Sequence, residues 1–157
     1  MPTEFLCDQC ALPGRSFKEV GKGVTIAPET NERVRLFHLD CDAFRNHYGL
    51  GQQAVCDLLI EYGREKTAPV DLFTELKGAG GIDHAKQQIV GAFDVLKDEL
   101  CACQAGVRFR ALIVTSASAP PNWPKRAKEL RKKGFEDVKL ATRAKGRKMV
   151  DLRKYVA

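Results

Sequence analysis

Two stretches of sequence decide the fold: Ala54-Val55-Cys56-Asp57-Leu58-Leu59-Ile60 and Val70-Asp71-Leu72-Phe73-Thr74-Glu75-Leu76-Lys77-Gly78. Both are short runs rich in Val, Ile, Leu and Phe, which is typical of β-strands. The segment between them holds Gly63 and Pro69, residues that favour a loop. The pattern therefore predicts two paired strands joined by that loop.

Charged residues interrupt both apolar runs. Side chains alternate along a strand, so Glu75 and Lys77 are expected on the face that also carries Phe73. If the two strands pair with their polar side chains on a common face, Asp57 converges with Glu75 and Lys77. Two carboxylates held together beside an apolar sheet repel each other, and a bound divalent cation usually compensates this repulsion. The pattern predicts a cation site at this place.

An Asp that ends one strand, followed on the next strand by Glu-x-Lys, resembles the PD-(D/E)xK nuclease superfamily. The resemblance is to a group of small bacterial and phage nuclease-like proteins of that superfamily, and it covers roughly residues 20–145. The matching residues are Cys56-Asp57-Leu58-Leu59-Ile60, Phe73-Thr74-Glu75-Leu76-Lys77-Gly78, Asp83-His84-Ala85 and Gln87-Gln88-Ile89.

The resemblance implies a fold, an activity and a site. The fold is α/β, a restriction-endonuclease-like mixed β-sheet flanked by helices. Residues 1–157 form a single nuclease-like domain, in which residues 1–15 are a Cys-containing N-terminal extension. The activity is that of a Mg²⁺- or Mn²⁺-dependent endodeoxyribonuclease, a hydrolase that cuts phosphodiester bonds in nucleic acid, in DNA rather than RNA.

The resemblance also assigns roles to individual residues. Asp57, Glu75 and the backbone carbonyl of Leu76 are the implied metal ligands, and Lys77 orients the attacking water or stabilises charge on the phosphate. Gln88 is the residue of the following helix that contributes to the site, with its neighbour Gln87 as the fallback. The first core helix of the superfamily, which often supplies another acidic ligand, is not evident in the sequence. The number of metal ions therefore stays open.

Charge is divided unevenly along the chain, whose net charge is +6. Residues 1–106 hold 11 Lys and Arg against 16 Asp and Glu, whereas residues 107–157 hold 15 against 4. A basic half beside an acidic site suits a phosphodiester enzyme, since the nucleic-acid backbone must be attracted while the metal is held. A solvated basic face without a partner is the alternative.

The basic residues cluster behind an irregular segment. Residues 116–124 contain Pro120, Pro121 and Pro124 and are predicted to form a loop that faces substrate. Trp123 either stacks on a base or folds back as a lid on the core. Pro124 is predicted to open a helix over residues 125–133. The basic side chains of that helix are the candidates for phosphate contacts: Lys125, Arg126, Lys128, Arg131, Lys132 and Lys133.

Six cysteines call for a separate interpretation. The sequence has no export signal, so reduced or metal-bound thiols are expected rather than a disulfide framework. Cys7-x2-Cys10 and His38-x2-Cys41 have the spacing of a zinc site with three thiolates and one imidazole. The alternative is that the thiols are unliganded and partly buried as small apolar groups.

Two other functions stay open at this stage: a catalytically inactive nucleic-acid-binding module of nuclease fold, and a zinc-stabilised adaptor built on the Cys pair. A homodimer is a further expectation. No apolar run is long enough to span a membrane, so no membrane partner is expected, and the protein is expected in the cytoplasm. The other predicted elements are a loop over 1–15, strands from residue 24 and over 33–39, one short helical turn over 41–48, a glycine hinge at 78–81, a helix over 82–101, a strand over 107–115, a basic turn at 144–147, and closing strands over 138–141 and 148–152. The helix over 82–101 carries an apolar stripe of Ile89, Phe93, Leu96 and Leu100 that is expected to pack on the sheet. The second half of the strand over 107–115 is apolar on both faces, which predicts a central strand covered on both sides.

Overall fold

The computed structural model describes residues 3–19, 22–77, 81–142 and 149–157. The strands are β1 Ser16–Glu19, β2 Lys22–Thr25, β3 Glu32–His38, β4 Leu58–Arg64, β5 Val70–Leu76, β6 Arg108–Thr115, β7 Asp137–Thr142 and β8 Val150–Asp151. The helices are α1 Asp42–Tyr48, α2 Ile82–Cys103, α3 Trp123–Lys133 and α4 Arg153–Val156, and Leu6–Cys10 forms a π-helical turn.

A five-stranded mixed sheet forms the centre, in the order β3-β4-β5-β6-β7. The three strands β3, β4 and β5 are antiparallel, whereas β5, β6 and β7 are parallel. A parallel pair needs a long crossover, and α2 supplies it between β5 and β6, as α3 does between β6 and β7. A smaller mixed sheet holds β1, β2 and β8. The fold is therefore α/β, as the sequence predicts.

Both faces of the central sheet are covered. On one face Phe73, Ala111 and Ile113 pack with the apolar side of α2, and on the other Leu112 and Val114 pack beneath the small sheet and the C-terminal helix. Successive residues of β6 thus enter different apolar clusters, because side chains alternate along a strand. The prediction that the second half of β6 is apolar on both faces because it is a central strand is confirmed.

An apolar stripe along helix α2 packs against the central sheet. Ile89, Phe93, Leu96 and Leu100 are all buried, as their spacing predicts. Gly91 lies on the same helix where it crosses the segment before β4. A Cβ atom on Gly91 would stand 1.9 Å from the Ala54 carbonyl oxygen, so only glycine permits this approach.

Four element predictions are wrong in detail. Residues 1–15 are not all loop, because Leu6 and Cys10, four residues apart, turn together into the core. Helix α1 has seven residues rather than one short turn, and Gly49 ends it with φ +63°. Gly63 lies inside β4, where it pairs with Arg33 rather than opening a loop. The second closing strand is only Val150–Asp151, which pairs with β2.

Two predictions lie wholly or mostly outside the described residues: the glycine hinge at 78–81, of which Gly81 is described, and the basic turn at 144–147. Across the four described ranges, no helix combines the length and the apolar character needed to cross a membrane.

Candidate active site

Asp57 and Glu75 meet where the β4–β5 hairpin is open. Leu58 pairs with Thr74 in the antiparallel register, so the residues one step further, Asp57 and Glu75, stand opposite each other. The Asp57 N–H donates to Glu75 Oε2 at 3.0 Å, and Asp57 Oδ2 accepts from the Leu76 N–H at 2.8 Å. The two acidic residues are thus linked through each other's strand, and the hydrogen bonds fix the position of both carboxyl groups.

Lys77 completes this group. Its Nζ lies 3.4 Å from Glu75 Oε1, and its side chain is 20% exposed while that of Glu75 is 3% exposed. Burial and the charge of Asp57 together raise the pKa of Glu75 to about 8, against the opposing effect of Lys77. Glu75 therefore holds a proton in most molecules at neutral pH, because the protein supplies too little positive charge for two carboxylates.

Helix α2 fixes the segment that leads into Asp57. Gln88 Nε2 donates to the Val55 carbonyl at 3.4 Å, three residues before the contact that Gly91 makes with Ala54. The oxygen of that amide, Gln88 Oε1, is buried and accepts no hydrogen bond from any described residue. Gln88 thus lies beside the Asp57 segment, whereas Gln87 is exposed.

Arg45 secures the loop between α1 and β4. Its guanidinium donates to the carbonyls of Gly51 at 2.9 Å and Gln53 at 2.6 Å, and it forms a 2.9 Å ion pair with Asp40. These bonds satisfy carbonyls in a stretch without regular structure. The irregular path into Asp57 is therefore fixed from both sides, by α2 and by Arg45.

The Asp57–Glu75–Lys77 group lies at the end of the central sheet where the parallel strands finish, which we call the carboxyl edge. Because β5, β6 and β7 are parallel, their carboxyl ends meet there, at Leu76, Thr115 and Thr142. The loop after β6 is held at this edge, since Thr115 Oγ1 accepts from the Ala117 N–H and Thr142 Oγ1 donates to the Ala117 carbonyl. Ligands of α/β sheets commonly bind outside the carboxyl ends of the strands.

Helix α3 begins near the same edge and runs alongside α2. Arg126 Nε is 2.5 Å from Oδ1 of Asp83, which lies in the first turn of α2. Further along, Lys133 Nζ is 3.2 Å from Asp94 Oδ1. Trp123, the first residue of α3, is half-buried against the core, which matches its interpretation as a lid.

The basic residues of α3 fall into two sets. Arg126 and Lys133 turn towards α2 and make ion pairs, so their charges are partly neutralised. The other set is exposed and forms no ion pair within the described part of the chain: Lys125, Lys128, Arg131 and Lys132. Only this second set, which we name the outer basic row, presents uncompensated charge to solvent.

The predicted zinc ligands do not all meet. Cys10 is buried in the core with a hydrogen bond to the Cys41 thiol, and Cys7 accepts from Arg35 at 3.5 Å. The His38 ring lies against Phe17, with ring centroids 5.0 Å apart, and Phe17 packs on the opposite side of the central sheet. None of the six cysteines forms a disulfide, and Cys101 and Cys103 are exposed.

Metal-ligand chemistry is limited to pairs of acidic groups. Within the described ranges, no three His, Cys, Asp or Glu side chains come close enough together to hold a metal ion. Mg²⁺ is commonly bound through one or two carboxylates, with waters and substrate phosphates as the other ligands. Asp57 and Glu75 fit that mode, because hydrogen bonds anchor both carboxyl groups and the two lie side by side.

A second acidic pair was missed in the sequence. Glu61 and Asp71 are directly opposite each other on β4 and β5, and both are buried. The signal was present, since each is a charged residue next to an apolar run, like Asp57. A pocket of about 450 Å³ lies at this other end of the hairpin, and its lining includes Arg64 and Gln104.

Comparison of the chain with protein-family models, with curated proteins and with solved structures gives no match in any of the three.

Proposed function

We propose that the protein is a metal-dependent nuclease of the PD-(D/E)xK kind, with a restriction-endonuclease-like fold, that hydrolyses phosphodiester bonds in DNA rather than RNA. The observation that carries this proposal is the Asp57–Glu75–Lys77 group. The carboxyl groups of Asp57 and Glu75 are buried, and each accepts a hydrogen bond from a backbone N–H of the other's strand. The pKa of Glu75 is raised to about 8, and the Lys77 ammonium group lies beside it. A divalent cation would supply the missing positive charge.

Each residue of the group has a role in this mechanism. Asp57 and Glu75 would hold Mg²⁺ or Mn²⁺, with the Leu76 carbonyl as a further ligand. When bound, the ion polarises the phosphoryl oxygen and makes a water molecule more acidic. Lys77 would orient the attacking water or stabilise negative charge that develops on the phosphate. Its partial exposure allows the ammonium group to contact substrate from the open edge of the sheet.

The outer basic row supplies the attraction for nucleic acid. Lys125 and Lys128 lie near the start of α3, which is tied to α2 next to the candidate site. Such cations contact phosphates and hold a backbone without reading its sequence. A homodimer stays a prediction.

The first experiment tests cleavage directly. Wild type and Glu75→Ala are incubated with single-stranded, duplex and branched DNA and with RNA, in Mg²⁺, Mn²⁺ or EDTA. We expect cleavage that needs the metal and is lost in the variant. Absence of cleavage of every substrate by folded wild-type protein would overturn the proposal.

Proton release provides a second measurement on the same group. Because Glu75 holds a proton up to about pH 8, a metal ion must displace it, and Mn²⁺ affinity is expected to rise about tenfold per pH unit between pH 6 and 8. The rise should level off above pH 8 and disappear in Glu75→Gln. Calorimetry in two buffers of different ionisation enthalpy would count the released proton.

A nucleic-acid-binding module without catalysis is the second candidate, and the outer basic row is the observation that favours it. Salt-sensitive binding without cleavage in any metal would select it. The zinc-stabilised adaptor would instead show tightly held zinc in metal analysis of the purified protein, and Cys10→Ser would release that zinc.

A further inference from the structure

The second acidic pair is enclosed in the protein. Glu61 and Asp71 are 2% and 0% exposed and occupy directly opposite positions on antiparallel strands. Side chains at such positions have Cβ atoms about 5 Å apart. Two ionised carboxylates at this separation, without water, would repel each other strongly and lose their hydration.

Protein donors reach only one oxygen of each carboxyl group. Arg35 Nη2 donates to Glu61 Oε1 at 3.1 Å, and Gln104 Nε2 donates to Asp71 Oδ2 at 2.8 Å. Glu61 Oε2 and Asp71 Oδ1 are buried, and no group in residues 3–19, 22–77, 81–142 or 149–157 donates a hydrogen bond to either. Two acceptors thus stand on facing residues with no donor between them.

We propose that Glu61 and Asp71 share one proton, held between Glu61 Oε2 and Asp71 Oδ1. The proton gives each unsatisfied oxygen a hydrogen-bond partner. It also leaves one negative charge on the pair, which the Arg35 guanidinium balances. A divalent cation fits less well, because with two carboxylates and Arg35 it would leave one net positive charge, and it would find only two unpartnered carboxyl oxygens there.

Three further residues lie around the pair or its partner Arg35: Arg33, Cys7 and Phe109. Arg33 Nε is 4.0 Å from Glu61 Oε1, but its side chain is 67% exposed, so solvent screens its charge. Cys7 contacts Arg35 rather than the carboxyl groups. Phe109 lies opposite Asp71 on β6 and contributes no charge.

The protonated state has a consequence for stability. Burial raises the pKa of Asp71 from 3.8 to about 7, with Gln104 opposing this and Glu61 adding to it. The folded protein therefore binds a proton that the unfolded chain releases between about pH 4 and pH 7. Stability from this pair is full at low pH and is lost as the pH rises through the folded pKa.

The experiment uses the Glu75→Gln protein as background, because Glu75 also holds a proton near neutral pH. Thermal unfolding is followed from pH 4 to 9 with and without Asp71→Asn. We expect the melting temperature of the double variant, relative to its background, to rise by on the order of 5 °C between pH 4 and 8. A difference that does not depend on pH would overturn the proposal.

Infrared spectroscopy tests the shared proton without relying on the stability of a variant. At pH 6 the Glu75→Gln protein should show the carbonyl band of a buried carboxylic acid, and this band should vanish on titration to pH 9. Absence of the band at pH 6 contradicts the shared proton. Stabilisation of this protein by Mg²⁺ that is lost in Asp71→Asn would also contradict it and would identify a cation in its place. Neither result depends on nuclease activity.

Discussion

The β4–β5 hairpin carries the same chemical unit at both of its ends, but the surroundings differ. At one end Glu61 and Asp71 are enclosed, and the protein supplies Arg35 and Gln104 as partners. At the other end the Asp57–Glu75 pair has Lys77 and backbone N–H groups, and it lies at the open edge of the sheet. Between the pairs, the Leu59 and Phe73 side chains fill the face with apolar contacts.

This difference separates two uses of paired carboxyl groups. With one proton the enclosed pair would carry a single negative charge, which Arg35 balances, so it needs no ligand. The Asp57–Glu75 pair, which we call the edge pair, lies where strands end and loops begin. Burial and a raised pKa are common to both pairs, so neither property identifies a site. All four acidic residues are at most 3% exposed, so position at the carboxyl ends of the parallel strands is what distinguishes the edge pair.

The largest expected effect is on cleavage and compares the two ends directly. Asp57→Asn should lower the cleavage rate about 10³-fold or more, because it removes a charge that the metal and the transition state need. Glu61→Gln, an equally small change at the other end, should leave the rate within about threefold of wild type. Single-turnover rates at saturating Mg²⁺ provide the measurement. Equal losses of cleavage rate in the two variants would contradict the different roles of the two acidic pairs.

Gly91→Ala is expected to damage the edge pair through its support. The new methyl group would press on the Ala54 carbonyl, which costs about 2 kcal/mol of folding stability and displaces the segment before Asp57. Urea unfolding and Mn²⁺ affinity should both fall. Asp98→Ala on the exposed side of the same helix is the control and should change stability by less than about 0.5 kcal/mol. A stable Gly91→Ala protein with unchanged metal affinity would contradict this role.

Removal of Arg35 and removal of Lys77, the cations beside the two acidic pairs, should destabilise the folded protein by different amounts. Arg35→Met leaves Glu61 buried without its donor, and we expect about 2 kcal/mol of destabilisation at pH 7, reduced from the fully buried case because Arg35 is 29% exposed. Lys77→Met should cost less than about 1 kcal/mol, since Glu75 is already protonated in most molecules at that pH. Denaturant midpoints at pH 7 test this order, which the reverse result would refute.

The smallest effect concerns the end at which we propose that nucleic acid binds. Lys128→Ala in the outer basic row should weaken binding severalfold and reduce the slope of log affinity against log salt by about 1. Arg64→Ala removes an exposed cation at the Glu61–Asp71 end and serves as the control. We expect it to change neither quantity. Equal effects would place the bound strand across the whole hairpin.

Much of this arrangement could be predicted from the sequence because it follows from periodicity. The stripe on α2 and the alternation along β5 and β6 determine which side chains face the core, and the same alternation places Glu75 beside Lys77. The contacts that these strand residues make with distant parts of the chain could not be predicted. Gln104 reaches Asp71 only because α2 ends above β5, and the contact of Gly91 with Ala54 depends on how closely helix and loop approach.

Sequence reasoning also failed for residues whose local sequence fits two different structural environments. Gly63 favours a turn locally, yet seven consecutive pairs between β3 and β4 keep it in a strand. His38 has the right spacing from Cys41 for zinc, but alternation along β3 turns its ring to the opposite side of the sheet. Spacing along the chain does not specify the face on which a side chain lies until the strand is known.

The chain before β1 protects the outer margin of the central sheet. Ala11 bridges to Phe37, and the Leu12 N–H donates to the Leu36 carbonyl at 2.8 Å, so backbone groups of β3 that would otherwise be unpaired are partly occupied. An uncovered edge strand is a template on which another chain can add. Removal of the residues before Gly14 would therefore be expected to turn a well-behaved protein into one that self-associates through β3, even with its candidate catalytic residues intact.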